Sequence, residues 1–200
     1  MKSEPLKISC STADCESGLH CFKKNQRIKS DYPNGICQKC GADLIDWNRL
    51  RQRKISDVHN TIKLLKIEWI RHHYWEDEPM SKYAVNYARR KGKTKLKEKV
   101  AKHLGNAVGT AQPFNDGRQT PFGSIEKPLR NPIHYAQHAV AACCRKCIKH
   151  WHGIDPGRDL SGSEIQYLTD LVMCYIEEKI PDLAEDSIAV PVIRQPRTGE

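Results

Sequence analysis

The stretch 131–158, NPIHYAQHAVAACCRKCIKHWHGIDPGR, gathers side chains suited to metal ions: His134, His138, His150 and His152, with Cys143, Cys144 and Cys147. Imidazole nitrogens and thiolates are the donors that zinc takes, and Cys144 and Cys147 have the C-x2-C spacing of structural zinc sites. One such pair is half a site. The competing reading is a set of small thiols buried in a core helix.

A second concentration lies upstream: Cys10 and Cys15, then His20 and Cys21, then Cys37-Gln38-Lys39-Cys40-Gly41. C-x2-C followed by glycine is the shape of a zinc knuckle, in which a tight turn aims two thiolates at one ion. Cys37 and Cys40 are the centre of this predicted site. The other two ligands come from Cys10, Cys15, His20 and Cys21, with Cys10 and Cys15 favoured because they pair across a short loop. Pro33-Asn34-Gly35 marks a turn between two short extended arms, the layout of a zinc ribbon.

The elements that must position these groups are largely helical. Asn131 suits a helix N-cap, Pro132 the first helical position and Gly153 the C-terminal cap, so one helix is predicted over 132–152. On a straight helix, Cys143, Cys147 and His150 share a face, while His134 and His138 lie nearly opposite. All seven groups therefore cannot surround one ion unless the helix breaks near 141–144 and lets His138 or His152 swing in. A helix over 57–74, capped by Ser56, turns Val58, Ile62, Leu65 and Trp69 inward. Ser81 opens another, with Leu96, Val100 and Leu104 inward, and a long loop follows over 105–130. Ser161 and Glu164 form a capping box for the last helix, which buries Ile165, Leu168, Leu171, Val172, Tyr175 and Ile176. The expected fold class is mainly α: a helical Cys/His-rich domain over 51–185, a zinc-ribbon-like module with small β over 1–50, and a tail over 186–200 with an edge strand at 188–193.

Charge points to the partner. With 33 Lys+Arg against 24 Asp+Glu, the 200-residue chain carries a formal net charge of +9, which favours nucleic acid. Arg89, Arg90, Lys91, Lys93, Lys95, Lys97, Lys99 and Lys102 form a basic run with Glu98 as its sole acid, suited to phosphates or to a merely solvated face. Arg158 sits in a glycine-containing turn between two helices, either a plain helical hairpin or a helix-hairpin-helix whose amides hold a phosphate. Gly92-Lys93-Thr94 lacks the glycine-rich run of a nucleotide-binding loop, which excludes that reading. Asp116 and Glu126 are the only carboxylates of 105–130, too few for a two-metal nuclease. Nine cysteines, no signal-like N-terminus and no membrane-length apolar run imply a reducing cytoplasm, with thiols as metal ligands rather than disulfides.

Several blocks also carry a resemblance. Asn115-Asp116-Gly117-x-Gln119-Thr120-Pro121, Ala136-Gln137-His138-Ala139, Cys143-Cys144-Arg145-x-Cys147 and Trp151-His152-Gly153-Ile154 with Gly157-Arg158 resemble an uncharacterised bacterial family, domain of unknown function 4186. The resemblance spans about 70–183 and leaves out the N-terminal module. It implies no activity, but it implies that His138, Cys143, Cys144, Cys147 and His152 belong together. His150 falls at an open position of the pattern, which favours the broken helix over the straight one.

The expectation is thus a zinc-stabilised, nucleic-acid-binding protein within a larger DNA- or RNA-handling system. Two zinc sites are expected, at Cys10, Cys15, Cys37 and Cys40 and among His138, Cys143, Cys144, Cys147 and His152. Cys174 on the last helix would make an iron–sulfur cluster the rival at the second site. One rival function is a metal-dependent enzyme, in which a three-ligand zinc activates water with His134 or His150 as proton shuttle and Asp155 or Glu164 as base. Another is a protein–protein adaptor.

Overall fold

The computed structural model of the chain describes residues 9–24, 30–118, 120–123, 127–191 and 193. Gln119 and Glu126 of the long loop, and Val192 of the expected edge strand, lie outside the described residues. Seven α-helices organise the rest: α1 (Trp47–Leu50), α2 (Val58–Lys66), α3 (Trp69–His72), α4 (Lys82–Val108), α5 (Pro132–Ala139), α6 (Arg145–His152) and α7 (Gly162–Lys179). The chain is mainly helical. Among the described residues, no helix is long and apolar enough to cross a membrane.

The core forms where α7 packs on α4 and α5. Apolar residues at helical spacing dictate it: Leu96, Val100 and Leu104 of α4 are fully buried, as are Leu168, Leu171, Val172, Tyr175 and Ile176 of α7. Capping follows the sequence signals. Asn131 Oδ1 accepts from the Ile133 N–H, Gly153 ends α6 at φ 65°, and Ser161 and Glu164 close a reciprocal capping box.

Three expected helices come out differently. The helix expected over 57–74 is divided into α2, α3 and one π-type turn (His73–Asp77). The N-terminal segment causes the first division: His20 N–H donates to the Ile67 carbonyl at 2.8 Å and Trp69 N–H to the His20 carbonyl at 2.9 Å. Backbone groups that would continue the helix are spent on another part of the chain. Ser56 does not cap α2. It lies in a 3-10 turn (Ile55–Asp57), and Asp57, at the cap position, is taken up by a two-pronged pair with Arg49.

In α4, Gly92 breaks the helical geometry at φ 68°, ψ 166°. The Lys93 and Thr94 N–H groups then donate to the Ala184 and Glu185 carbonyls, and Ile188 N–H donates to the Arg89 carbonyl. A returning C-terminal segment thus fills the kink. The helix also runs on to Val108, so the long loop starts later than the glycine at 105 suggested.

The predicted single helix over 132–152 is broken between α5 and α6. Ala141 adopts φ 55°, costly for a residue with a Cβ, and Cys144 becomes the N-cap of α6, its sulfur accepting from the Cys147 N–H. Arg145 secures the break. Its buried guanidinium donates to the carbonyls of Val108, Asp155 and Arg158, and its N–H donates to Asp116 Oδ1.

The described residues of the N-terminal module form isolated bridges, Asp14–Leu19, His20–Glu68 and Asn34–Ile36, so no β-ribbon is formed among them. Their backbone groups go to turns and to the helical domain instead of to a ladder. Phe22, fully buried, packs edge-on against Trp151 of α6 and against Trp47 of α1.

Gly92→Ala should lose about 2 kcal/mol of unfolding free energy, because its Cβ would overlap the Asp186 backbone and its positive φ disfavours any side chain. A denaturant midpoint within error of the parent's would show that the C-terminal segment moves aside freely.

Candidate metal centres and the adjoining basic cleft

The bridge Asp14–Leu19 folds the N-terminal segment back on itself, which brings Cys15 and His20 to one place. The turn at 37–41 supplies Cys37 and Cys40, with the Gly41 N–H donating to the Cys37 carbonyl. One donor atom from each of these four residues lies within 4.8 Å of all the others. Cys15 Sγ stands 3.7 Å from Cys37 Sγ, and Cys40 Sγ stands 3.5 Å from His20 Nδ1. Sulfurs bound to tetrahedral zinc at about 2.3 Å are roughly 3.8 Å apart, so this donor set fits the ion. Burial works against a charged Cys37, yet backbone N–H groups of Cys21, Cys40 and Lys39, helped by His20, bring its thiol down to about 6. Burial and the Cys40 and Cys37 thiols push Cys15 up to about 12. One thiolate is ready in advance, and the other thiols give up protons as a cation arrives.

Cys10, expected beside Cys15, lies elsewhere. Its carbonyl accepts from the Cys21 thiol at 3.4 Å, and the influence of the Cys147 thiol, with burial, pushes its own thiol well up from the ordinary range. Cys21 is therefore an anchored, buried thiol rather than a member of the first cluster. His20 takes the place that the sequence left open between four residues.

The second cluster is Cys143, Cys144 and Cys147, whose sulfurs lie within 4.8 Å of one another. The break between α5 and α6 makes it possible, since on a continuous helix the consecutive Cys143 and Cys144 point roughly 100° apart. Cys147 Sγ accepts from Arg71 Nη2 at 3.5 Å and from Lys23 Nζ at 3.6 Å. Hydrogen bonds from the Cys10, Cys143 and Cys144 thiols, with Arg71 beside them, outweigh burial and hold Cys147 well below the ordinary thiol range. Arg71 is itself buried and donates to Glu68 Oε2 at 3.0 Å and to the His138 carbonyl at 2.5 Å; Trp151 Nε1 donates to the same Glu68 oxygen.

The histidines stand outside this triplet. His152 Nε2–H donates to the Val140 carbonyl at 2.9 Å while Nδ1 faces the Tyr167 hydroxyl, so both ring nitrogens are engaged. His138 Nε2–H donates to the Thr120 and Pro121 carbonyls, its ring lies between Phe122 and Tyr74, and its buried Nδ1 has no partner. Burial lowers both rings to about 4, which keeps them neutral at pH 7. His134 lies beside His103. Cys174 neighbours Glu177 and Asp170 and has not joined the other thiols.

The basic residues divide into two groups. On α4, Arg89 pairs with Asp182, Lys93 with Glu177 and Glu185, and Lys97 with Asp170, so α7 and the segment after it neutralise part of the run. Lys91 lies over the Tyr87 ring, while Arg90, Lys95, Lys99 and Lys102 are exposed. Arg158 makes a two-pronged pair with Glu164, and the Gly157 N–H in the same turn donates to Asp155 Oδ1. That turn is satisfied from within.

A cleft of about 460 Å³ between the N-terminal module and α6 is lined by Lys23, Lys24, Arg51, Lys146, Lys149 and His150, with Asp155 its only acid among the described residues. Arg51 is fixed over the Trp47 ring and donates to the His150 carbonyl at 3.1 Å. His150 is 5% exposed, burial lowers it to about 3, and its Nε2 has no partner. Sequence reading missed this cleft because its cations come from 23–24, 51 and 146–149 and form no run.

The buried imidazoles set a pH dependence. His152 is neutral when folded, at about 4, and titrates near 6.5 when unfolded. Below about 6.5 the unfolded state binds the extra proton, so stability falls between pH 6.5 and 4 and is unaffected by this ring above that range. His152→Gln should therefore be less stable than the parent at pH 7.5 but lose less on acidification to pH 4.5, read from denaturant midpoints at both values. Parallel losses in the two proteins would show that His152 takes no part.

No solved structure matches the chain. A family model described as "Domain of unknown function (DUF4186)" matches residues 59–177, a span that includes Arg71, the three clustered thiols and α6 but excludes the first metal cluster and Lys23. Over more than half of its length, this chain is a member of the DUF4186 family.

Proposed function

We propose that the protein is a zinc-stabilised nucleic-acid-binding protein in which two metal sites shape a phosphate-binding cleft. Zinc is favoured because sulfur and imidazole donors at tetrahedral spacing select it over hard cations. The first cluster supplies four donors, and a closed four-donor site leaves no position for water, so its metal folds the chain and takes no part in turnover. Nine free cysteines and no disulfide among them suit a reducing cytoplasm, where thiols remain available as ligands.

The observation that carries the binding reading is the cleft: five cations and an unpartnered imidazole line it against a single carboxylate. Such a surface neutralises phosphates. Lys23 and Arg51 are held in place, which lowers the entropy lost on binding, and Lys146 and Lys149 extend the positive edge along α6. The free cations of α4, Arg90, Lys95, Lys99 and Lys102, form a second basic surface. A partner in a DNA- or RNA-handling assembly would engage the face that nucleic acid leaves free.

Titration of labelled single- and double-stranded oligonucleotides across salt concentrations tests this reading. Lys146→Glu/Lys149→Glu should bind at least tenfold more weakly and flatten the log–log salt slope by about two. Lys95→Glu/Lys99→Glu should change affinity less. The reverse ranking would place the interface on α4, and absence of salt-dependent binding by the parent protein would overturn the nucleic-acid reading. The zinc reading has its own measure: elemental analysis of anaerobically purified protein should find two zinc ions per chain and no visible chromophore, whereas bound iron would overturn it.

A further inference from the structure

We propose that Cys10 is the fourth ligand of the second centre, so that Cys10, Cys143, Cys144 and Cys147 form one four-thiolate site for a zinc-class divalent ion. The inference rests on the reading that the clustered thiols hold a metal, and goes beyond it by naming the closing ligand and the segment that delivers it.

Three sulfurs within 4.8 Å of one another make three corners of a tetrahedral site. Cys10 lies outside that triplet but beside it: the Cys21 thiol that donates to its carbonyl also donates to the Lys23 carbonyl, and Lys23 Nζ donates to the Cys147 sulfur at 3.6 Å. The Cys10 and Cys147 thiols also shift one another's proton affinity. The backbone at residue 10 is anchored there, its carbonyl accepting from the buried Cys21 thiol. The imidazoles of His138, His150 and His152 stand outside the thiol group, although His138 Nδ1 and His150 Nε2 are unpartnered. His152 has both nitrogens engaged, His138 is stacked between two rings with Nε2 committed, and His150 belongs to the basic cleft.

Charge supports the same set. Four thiolates around a divalent ion carry two excess negative charges, and two cations, Arg71 and Lys23, already donate to the Cys147 sulfur. Donors of this kind in the surrounding shell stabilise thiolate-rich sites and hold their ligands in orientation. Each neutral thiol releases its proton to solvent as the metal–sulfur bond forms, and no oxidation state changes.

The arrangement has a structural consequence. Cys10 lies before the first cluster, Cys143 and Cys144 lie between α5 and α6 and Cys147 lies on α6, so the ion clamps the N-terminal segment onto the helical domain. Lys23, which donates to a ligand sulfur, also lines the cleft, and the metal therefore fixes one wall of the anion site.

The test is metal content, chelator competition and the cobalt(II) absorption spectrum of the full-length protein, purified without oxygen. The parent should hold two ions, and its cobalt spectrum should report one centre with four sulfurs and one with three sulfurs and a nitrogen. Cys10→Ser should keep the first ion and hold the second at least tenfold more weakly, as should Cys144→Ser. Cys10→His should recover the second ion with the cobalt bands moved toward a mixed sulfur–nitrogen centre, which separates ligation from misfolding. If Cys10→Ser keeps two tight ions and an unchanged spectrum while Cys144→Ser loses one, another residue closes the site. If neither substitution affects the count, the triplet holds no metal, and the second zinc site fails together with this inference. None of these outcomes depends on nucleic-acid binding.

Discussion

A buried arginine is the constraint on which the rest of this structure depends. Arg71 is almost entirely inside the protein, and its guanidinium meets Glu68, the His138 carbonyl and the Cys147 sulfur at once. Burial works to discharge it, but Glu68 and the neighbouring thiols more than restore its proton. A buried ion pair adds little net stability when complete, yet removing one partner typically costs about 3–5 kcal/mol because the other charge is stranded. The group therefore acts as a specificity device. It fixes where α3, the end of α5 and the start of α6 stand relative to one another, and it orients a thiolate that would otherwise be costly to bury.

The same network explains why the N-terminal segment is integral to the architecture. Glu68 sits at the division between α2 and α3, and that division exists because His20 hydrogen-bonds to the backbone on both sides of it. His20 is also a donor of the first metal cluster. One residue thus links that cluster, the break in a helix and the carboxylate that neutralises Arg71. Phe22 then extends the contact into the tryptophan pair Trp47 and Trp151, which carries Arg51 on its outer side.

Much of the fold was legible in the sequence where local rules decide it. The caps at Asn131, Gly153 and Ser161 and the inward faces of α4 and α7 follow from hydrogen bonding and periodicity within a few residues. What was not legible is settled by distant partners. Nothing near Ile67 announces that His20 will take its carbonyl, and a Glu and an Arg three residues apart look like a solvated helix face. The stop at 140–144 was foreseen only as one of two options, because Ala141 at positive φ has no sequence signature. Of the candidate site, the C-x2-C pairs marked both candidate metal clusters, but spacing within one segment could not allot Cys10 and His20. Cys10 is close to Cys15 in sequence but belongs to the neighbourhood of Cys21, Lys23 and Cys147 in space.

The charge distribution shows the same limit. The basic run on α4 is conspicuous as a string, yet α7 and the segment that follows it carry Asp170, Glu177, Asp182 and Glu185 to its side. Pairing of this exposed kind is worth little in stability, but it lowers the field that a phosphate would meet. In the cleft beside α6 the opposite holds, since cations from three separated stretches line it with one carboxylate, which already accepts from the Gly157 N–H. The potential at a surface is set by which charges remain uncompensated after folding. For this chain the assembled cleft keeps more uncompensated positive charge than the contiguous run, and it shares the N-terminal segment with the candidate metal donors.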